Sequence, residues 1–202
     1  MGRQVVAKMR EEILGQAVPL FAKVGFEGVS MRDIAATVGV TPAALYHHFS
    51  DKDELYLAAV EHAFEGKVGP FKSILDGTGS CWDRLEAFIT QFARVLDKEN
   101  DFRRLMQWVM LDSDEQRLQR LGHCIFGNLF NALRNVAGEL DPAGSTHLLA
   151  VSIVGLVIYH FETQAVRRFL QGYDQQREAP EVIARHVVEL LRNGLGASGS
   201  ST

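Results

Sequence analysis

The chain has 202 residues, of which 47% are hydrophobic and 23% charged, with a formal net charge of −4. That is the composition of an ordinary globular protein with enough chain to bury a sizeable core; it excludes a disordered or fibrous polymer. The acidic balance also excludes a uniformly basic nucleic-acid binder, so any DNA reading has to rest on motif and geometry. Two cysteines, Cys81 and Cys124, come without metal-ligand spacing, which points to reduced packing thiols, with no metal and no cofactor expected. The first ten residues are polar and run into Glu11 and Glu12, so no secretory signal is expected and the cytoplasm is the expected location. The longest apolar run, Leu148 to Phe161, is broken by Ser152 and His160 and falls short of a bilayer span, so no membrane partner is expected.

Helical periodicity dominates, and no alternating strand pattern stands out. Ile13, Ala17, Leu20, Phe21 and Val24 share one face of a helix over about 5–24, with Gly25 as its stop. Pro19 inside it removes the hydrogen bond to Gly15, so a local kink is expected. Ser30 and Asp33 have the spacing of a capping box and open a short helix over about 31–38, which Gly39 ends. Thr41 caps a third helix that has Pro42 in its first turn and runs to about His48. Helix, short glycine-containing turn, helix is the layout of a helix-turn-helix. Phe26, Val29, Ile34, Leu45, Phe49 and Leu55 are expected to close a small core around it.

A fourth helix follows from Lys52 to about Glu65, with a bend or break expected at Gly66, Gly69 and Pro70. Further helices are expected at about 82–98, 102–111, 114–139, 146–170 and 181–193 after a glycine-rich loop over 76–80. The fold is therefore all-α with about nine helices. It divides into a three-helix, helix-turn-helix part over 6–52, a larger helical part over 53–193, and a disordered tail over 194–202. Residues 1–50 hold five Lys and Arg against four acidic residues, a net charge of +1, which leaves −5 for the rest. The sign favours DNA contact by the first part.

The second helix of a helix-turn-helix enters the major groove, and its flanks meet phosphate. Tyr46, His48 and Lys52 offer a hydroxyl, an imidazole and an ammonium for phosphate oxygens. Thr41, Ala43, Ala44 and His47 are candidates for base edges and thymine methyls. Arg32 and Pro42 complete the expected DNA face.

Ile13-Leu14, Ala17, Leu20-Phe21, Gly25-Phe26, Ser30 to Ala35, Gly39-Val40-Thr41, Leu45 to Phe49 and Lys52 to Leu55 together resemble the TetR (tetracycline-repressor-like) regulators over residues 10–57. The resemblance implies a two-fold homodimer on a palindromic operator, acting most often as a repressor that a small molecule releases. Ala43-Ala44 stands where many members carry a small polar pair. An activator, a DNA-binding protein acting outside transcription and a small helical enzyme remain open as alternatives.

In the larger part, Val154 and Ile158 of the helix over 146–170, with Ile183, Val187, Leu190 and Leu191 of the last helix, are expected to form a four-helix dimer seam. Phe88, Phe92, Met106, Trp108, Met110, Phe126, Phe130 and Tyr159 are the expected walls of an effector site for an apolar or aromatic molecule. His123, with Gln107, Asn131 and His160, would supply its polar groups. The stretch Gly194 to Gly199 spells a dinucleotide-binding fingerprint, but it follows a helix in place of a strand and is rejected.

Overall fold

The structure is a computed structural model that describes residues 2–196. Among them there is no strand, and no helix is long and apolar enough to cross a membrane. The helices are α1 (Gly2–Val24), α2 (Met31–Val38), α3 (Pro42–Tyr46), α4 (Lys52–Phe64), α5 (Val68–Leu75), α6 (Cys81–Lys98), α7 (Asn100–Met110) and α8 (Glu115–Arg120). After a π-helical segment (Leu121–Phe126) come α9 (Gly127–Leu140), α10 (Thr146–Glu162), α11 (Gln164–Arg167), a 3-10 turn (Gln175–Glu178) and α12 (Pro180–Gly196).

Compactness divides this chain elsewhere than at residue 52. Among the described residues, one unit joins 2–66 to 99–126, and the other joins 67–98 to 127–196. In the first unit α1 packs on α2, α4 and α7, and α4 also packs on α8. Its core includes Ile13, Ala17, Phe21, Ile34, Leu45, Phe49, Leu55 and Tyr56. In the second unit α12 packs on α6 and α10, and α9 packs on α5, α6 and α10. Phe71, Leu85, Phe88, Ile89, Leu133, Val136, Ile153, Val157 and Val187 fill it.

Several boundaries depart from the sequence reading. Helix α1 continues through Pro19, which lies on the exposed side. The break expected after α4 is present: the helix ends at Phe64, Gly66 adopts φ +75°, and Val68, Gly69 and Pro70 open a helix of their own. Proline suits that first turn, where its missing N–H has no intrahelical partner to lose. The single helix expected over 114–139 is interrupted by the π-helical segment. Its buried Leu121 and Ile125 belong to the first unit, and the buried Ala132, Leu133, Val136 and Ala137 of α9 belong to the second. The helix expected over 146–170 stops at Thr163, whose hydroxyl donates 2.6 Å back to the Tyr159 carbonyl. Of the tail expected to be disordered, residues 194–196 continue α12, and 197–202 lie outside the described residues.

Candidate nucleic-acid interface

The local rules that shape α2 and α3 are all met. Ser30 Oγ accepts from the Asp33 N–H at 3.2 Å, and the Asp33 carboxylate accepts from the Ser30 N–H at 2.9 Å. This reciprocal capping satisfies two amide donors that a helix start leaves unpaired. The same bonds to Ser30 hold the Asp33 carboxyl below the usual carboxylate range. Gly39 ends α2 at φ +79°, a conformation that costs a side chain Cβ strain energy, and the N–H groups of Gly39 and Val40 both close on Ala35 O. Thr41 Oγ1 then accepts from the Ala44 N–H at 3.2 Å with Pro42 behind it.

Helix α3 is shorter than expected. It ends at Tyr46, and the chain tightens as the N–H groups of His47 and His48 bond to Ala44 O and Leu45 O. His48 thus stands in the turn after the helix, half-buried. The reason is packing: Leu45 and Phe49 are both buried, and the tight turn brings both under the helix pair. Arg32, Thr41, Pro42, Ala43, Tyr46 and His47 are exposed, while Ala44, His48 and Lys52 are half-buried. Arg32, Tyr46 and Lys52 line one shallow groove with residues 27–31 and Asp33. The Thr41 hydroxyl serves its own helix as cap, which limits what it has left to offer a base edge.

Lys52 differs most from its expected role. Its Nζ donates to Phe26 O at 3.1 Å and lies 4.0 Å from the centre of the Phe26 ring. The ammonium thereby ties the chain before α2 to the chain after α3.

Sequence reasoning missed the contacts of Trp108 and missed Arg117 altogether, and both tie parts of this unit together. Trp108 donates its indole N–H to Ala22 O at 3.2 Å, and its ring covers Gly25, where a Cβ would come within 2.7 Å of it. Trp108 is therefore an anchor for the end of α1. Arg117 is the other. It makes a two-pronged pair with Asp112 at 2.8 and 2.9 Å and donates to Asp53 at 2.8 Å. No local pattern marks the long-range contacts, because Asp53 lies 64 residues from Arg117 and Ala22 lies 86 from Trp108.

The other expected effector residues scatter. Phe88 and Phe92 are buried and stack on each other with Phe71 at their edges. Phe126 packs edge-on to Phe64, as does Phe102; Met106 is half-buried. Phe130 is half-buried, with its ring against His147. Met110, His123 and Tyr159 are exposed. An open cleft of the second unit, about 570 Å³, is lined by His160, Arg167, Leu170, Tyr173, Val182 and His186 among others, and by none of those aromatic residues. Cys81 and Cys124 are free thiols, and no cluster of His, Cys, Asp or Glu among the described residues has the make-up of a metal site.

The expected dimer seam needs correction too. Ile183, Val187 and Leu191 are buried within their own subunit, where α12 packs on α6. Val154 and Ile158 are half-buried. The exposed apolar residues of these helices are Leu148, Val151 and Tyr159 on α10 and Val182 and Leu190 on α12. A helix that packs on neighbours with one stripe presents a different stripe outward, and sequence periodicity alone did not say which was which.

Residues 13–59 match the family described as bacterial regulatory proteins, tetR family. The chain is 29% identical over 119 residues to the HTH-type transcriptional repressor KstR2 of Mycolicibacterium smegmatis, covering 55% of this chain and 58% of that protein. It is 35% identical over 133 residues to IcaR of Staphylococcus aureus, a negative transcriptional regulator of the biofilm operon icaADBC, covering 66% of each. The chain thus spans just under two thirds of these relatives' lengths at most. In fold it is similar to the transcriptional regulator FadR from Bacillus subtilis in complex with stearoyl-CoA, with a TM-score of 0.75, 18% identity, and 91% of this chain and 97% of that one covered.

Proposed function

The chain belongs to the TetR family of bacterial regulatory proteins, and on that premise we propose that it is a cytoplasmic transcriptional repressor. It reads a palindromic operator as a homodimer through α2 and α3 and releases it when a small apolar or aromatic molecule binds. The observation that carries this reading is the surface of α3. A doubly capped helix-turn-helix leaves Arg32, Thr41, Pro42, Ala43, Tyr46 and His47 exposed over a fully apolar core. Residues 6–52 are the reader and 53–193 the sensing and pairing part. Tyr46 and Arg32 meet phosphate; His47, with the Ala43 methyl, reads bases.

The pairing surface is the exposed row Leu148, Val151 and Tyr159 with Val182 and Leu190, flanked by Val154 and Ile158. Exposed apolar rows of this size on two adjacent helices favour burial against an identical copy. For the effector, an acyl chain is the chemistry to try first. The similarly folded FadR carries stearoyl-CoA, and within the second unit Phe88, Phe92 and Phe130 are apolar groups that can line such a chain.

The test is selection of bound duplexes from a random DNA pool by the purified protein. A two-fold symmetric consensus, lost on replacing His47 and Tyr46 together by Ala, is the expected result. Recovery of no DNA, or of an unselected mixture, overturns the reading. Titrating medium- and long-chain acyl-CoA thioesters against the bound operator then tests the effector class. Unchanged binding across the series removes acyl-CoA thioesters from consideration.

A further inference from the structure

The two ends of the helix-turn-helix are brackets. Phe26 lies just before α2, and Lys52 and Asp53 open α4 just after α3. Lys52 joins them directly through its bond to Phe26 O. A third element enters from far along the chain. The Arg117 guanidinium carbon lies 3.9 Å from the centre of the same Phe26 ring, so two cations share one aromatic residue. One Arg117 nitrogen reaches Asp53 at 2.8 Å, and the other two grip Asp112. The Arg117 backbone N–H also bonds to the Asp114 carboxylate, which caps α8.

The burial pattern shows that these contacts are not loose surface pairs. The side chain of Arg117 is 11% exposed and that of Asp112 5%. Isolated surface ion pairs contribute little, whereas a nearly buried, two-pronged pair holds a defined geometry. The Asp112 carboxyl is held below the usual range, first by its bonds to Arg117. Asp53 is different: 46% of its side chain is exposed, so it does not need Arg117 for its own solvation. The Asp53 bond therefore serves to fasten α4 to Arg117.

We propose that Arg117 is a positioning residue for the DNA reader, clamping both ends of the helix-turn-helix to segment 99–126 without touching DNA itself. The proposal rests on the DNA-binding reading above. It assigns regulation of that surface to a residue outside it: a change at α7 or α8 that moves Arg117 moves Phe26 and Asp53 together. Arg117 is suited to this because its planar fork serves two carboxylates and a ring at once, which a lysine ammonium cannot do.

Arg117→Ala strips the buried Asp112 of its partner and can fail to fold, so Asp53→Asn is the primary variant and Arg117→Lys the second. Each is compared with wild type for affinity toward the selected operator, the salt dependence of that affinity, and thermal melting. The expected result is affinity weakened about tenfold in both variants, in the range of coupled neighbours, at temperatures where all are folded. The salt slope should stay unchanged, whereas loss of a direct phosphate contact would lower it by about one. The sign is diagnostic for Asp53→Asn. Removing an acid beside DNA should tighten binding if charge alone mattered, so tighter or equal binding overturns the proposal, as does a salt slope lowered by one in Arg117→Lys. A wild-type protein that selects no DNA overturns the reading beneath it, and this inference with it.

Discussion

The helix-turn-helix and the α10–α12 pair are both purely helical, yet they leave opposite kinds of surface. Around α2 and α3, every large apolar side chain except Tyr46 is covered within the unit, and polar groups and small methyls face out. On α10 and α12, one set of apolar residues is covered by α6 and α9 while a second set, Leu148, Val151, Tyr159, Val182 and Leu190, is left bare. The first surface is finished as a monomer and suited to a hydrated, charged partner. The second is unfinished and suited to an apolar one.

The largest expected effect separates the two faces of α12. Val187 has no exposed surface, so Val187→Arg should destabilise the subunit by about 3–5 kcal/mol, the cost of burying a charge without a partner. Leu190 is 49% exposed, so Leu190→Arg should leave thermal melting of the subunit nearly unchanged and yield monomers in light scattering. A dimeric Leu190→Arg protein would move the pairing face off α12. A Val187→Arg protein that melts like wild type would break the assignment of α12 to the core.

On the reader's side, Gly25→Ala should cost about 2 kcal/mol. The position sits at φ +72°, and a methyl there meets the Trp108 ring. Adding Trp108→Ala should recover only the steric part of that loss in urea unfolding, because the backbone strain remains. Full recovery would mean that φ at this site matters little.

Ser30→Ala should cost about 1 kcal/mol, the worth of a helix cap. It removes the side-chain acceptor for the Asp33 N–H. Amide exchange should quicken at the start of α2 and leave α10 and α12 as they were. Equal quickening in both places would show that the two regions unfold as one.

The smallest effect is a pH dependence confined to the second unit. Burial pushes His160 below its ordinary value, with help from the nearby Arg167 and His186 charges and against Glu178. The unfolded chain then binds the proton more readily than the folded one. Stability should be complete above about pH 6.5, the ordinary histidine value, and decline as the pH falls below it. Urea midpoints measured between pH 7.5 and 5 should show the decline in wild type and a flatter profile in His160→Gln. Parallel profiles would assign the acid sensitivity to other groups.

Sequence reading went furthest where the physics is local. The capping box of Ser30 and Asp33, the left-handed Gly39, the Thr41 cap and Pro42 in the first turn act within four residues, so spacing alone identified α2 and the start of α3. The all-helical fold followed from periodicity in the same way, as did the cores around Ile34, Leu45, Phe49 and Leu55. What only the tertiary structure decided involves partners far apart in the chain. Lys52 ties to Phe26, Trp108 covers Gly25, and Arg117, unmarked in the sequence, joins Asp53 to Asp112. Which stripe of α12 is buried was settled by its packing on α6, since an apolar residue every three or four positions suits either stripe until a neighbour covers one. Helix caps and periods are written in adjacent residues, while burial is a property of whatever the folded chain brings alongside.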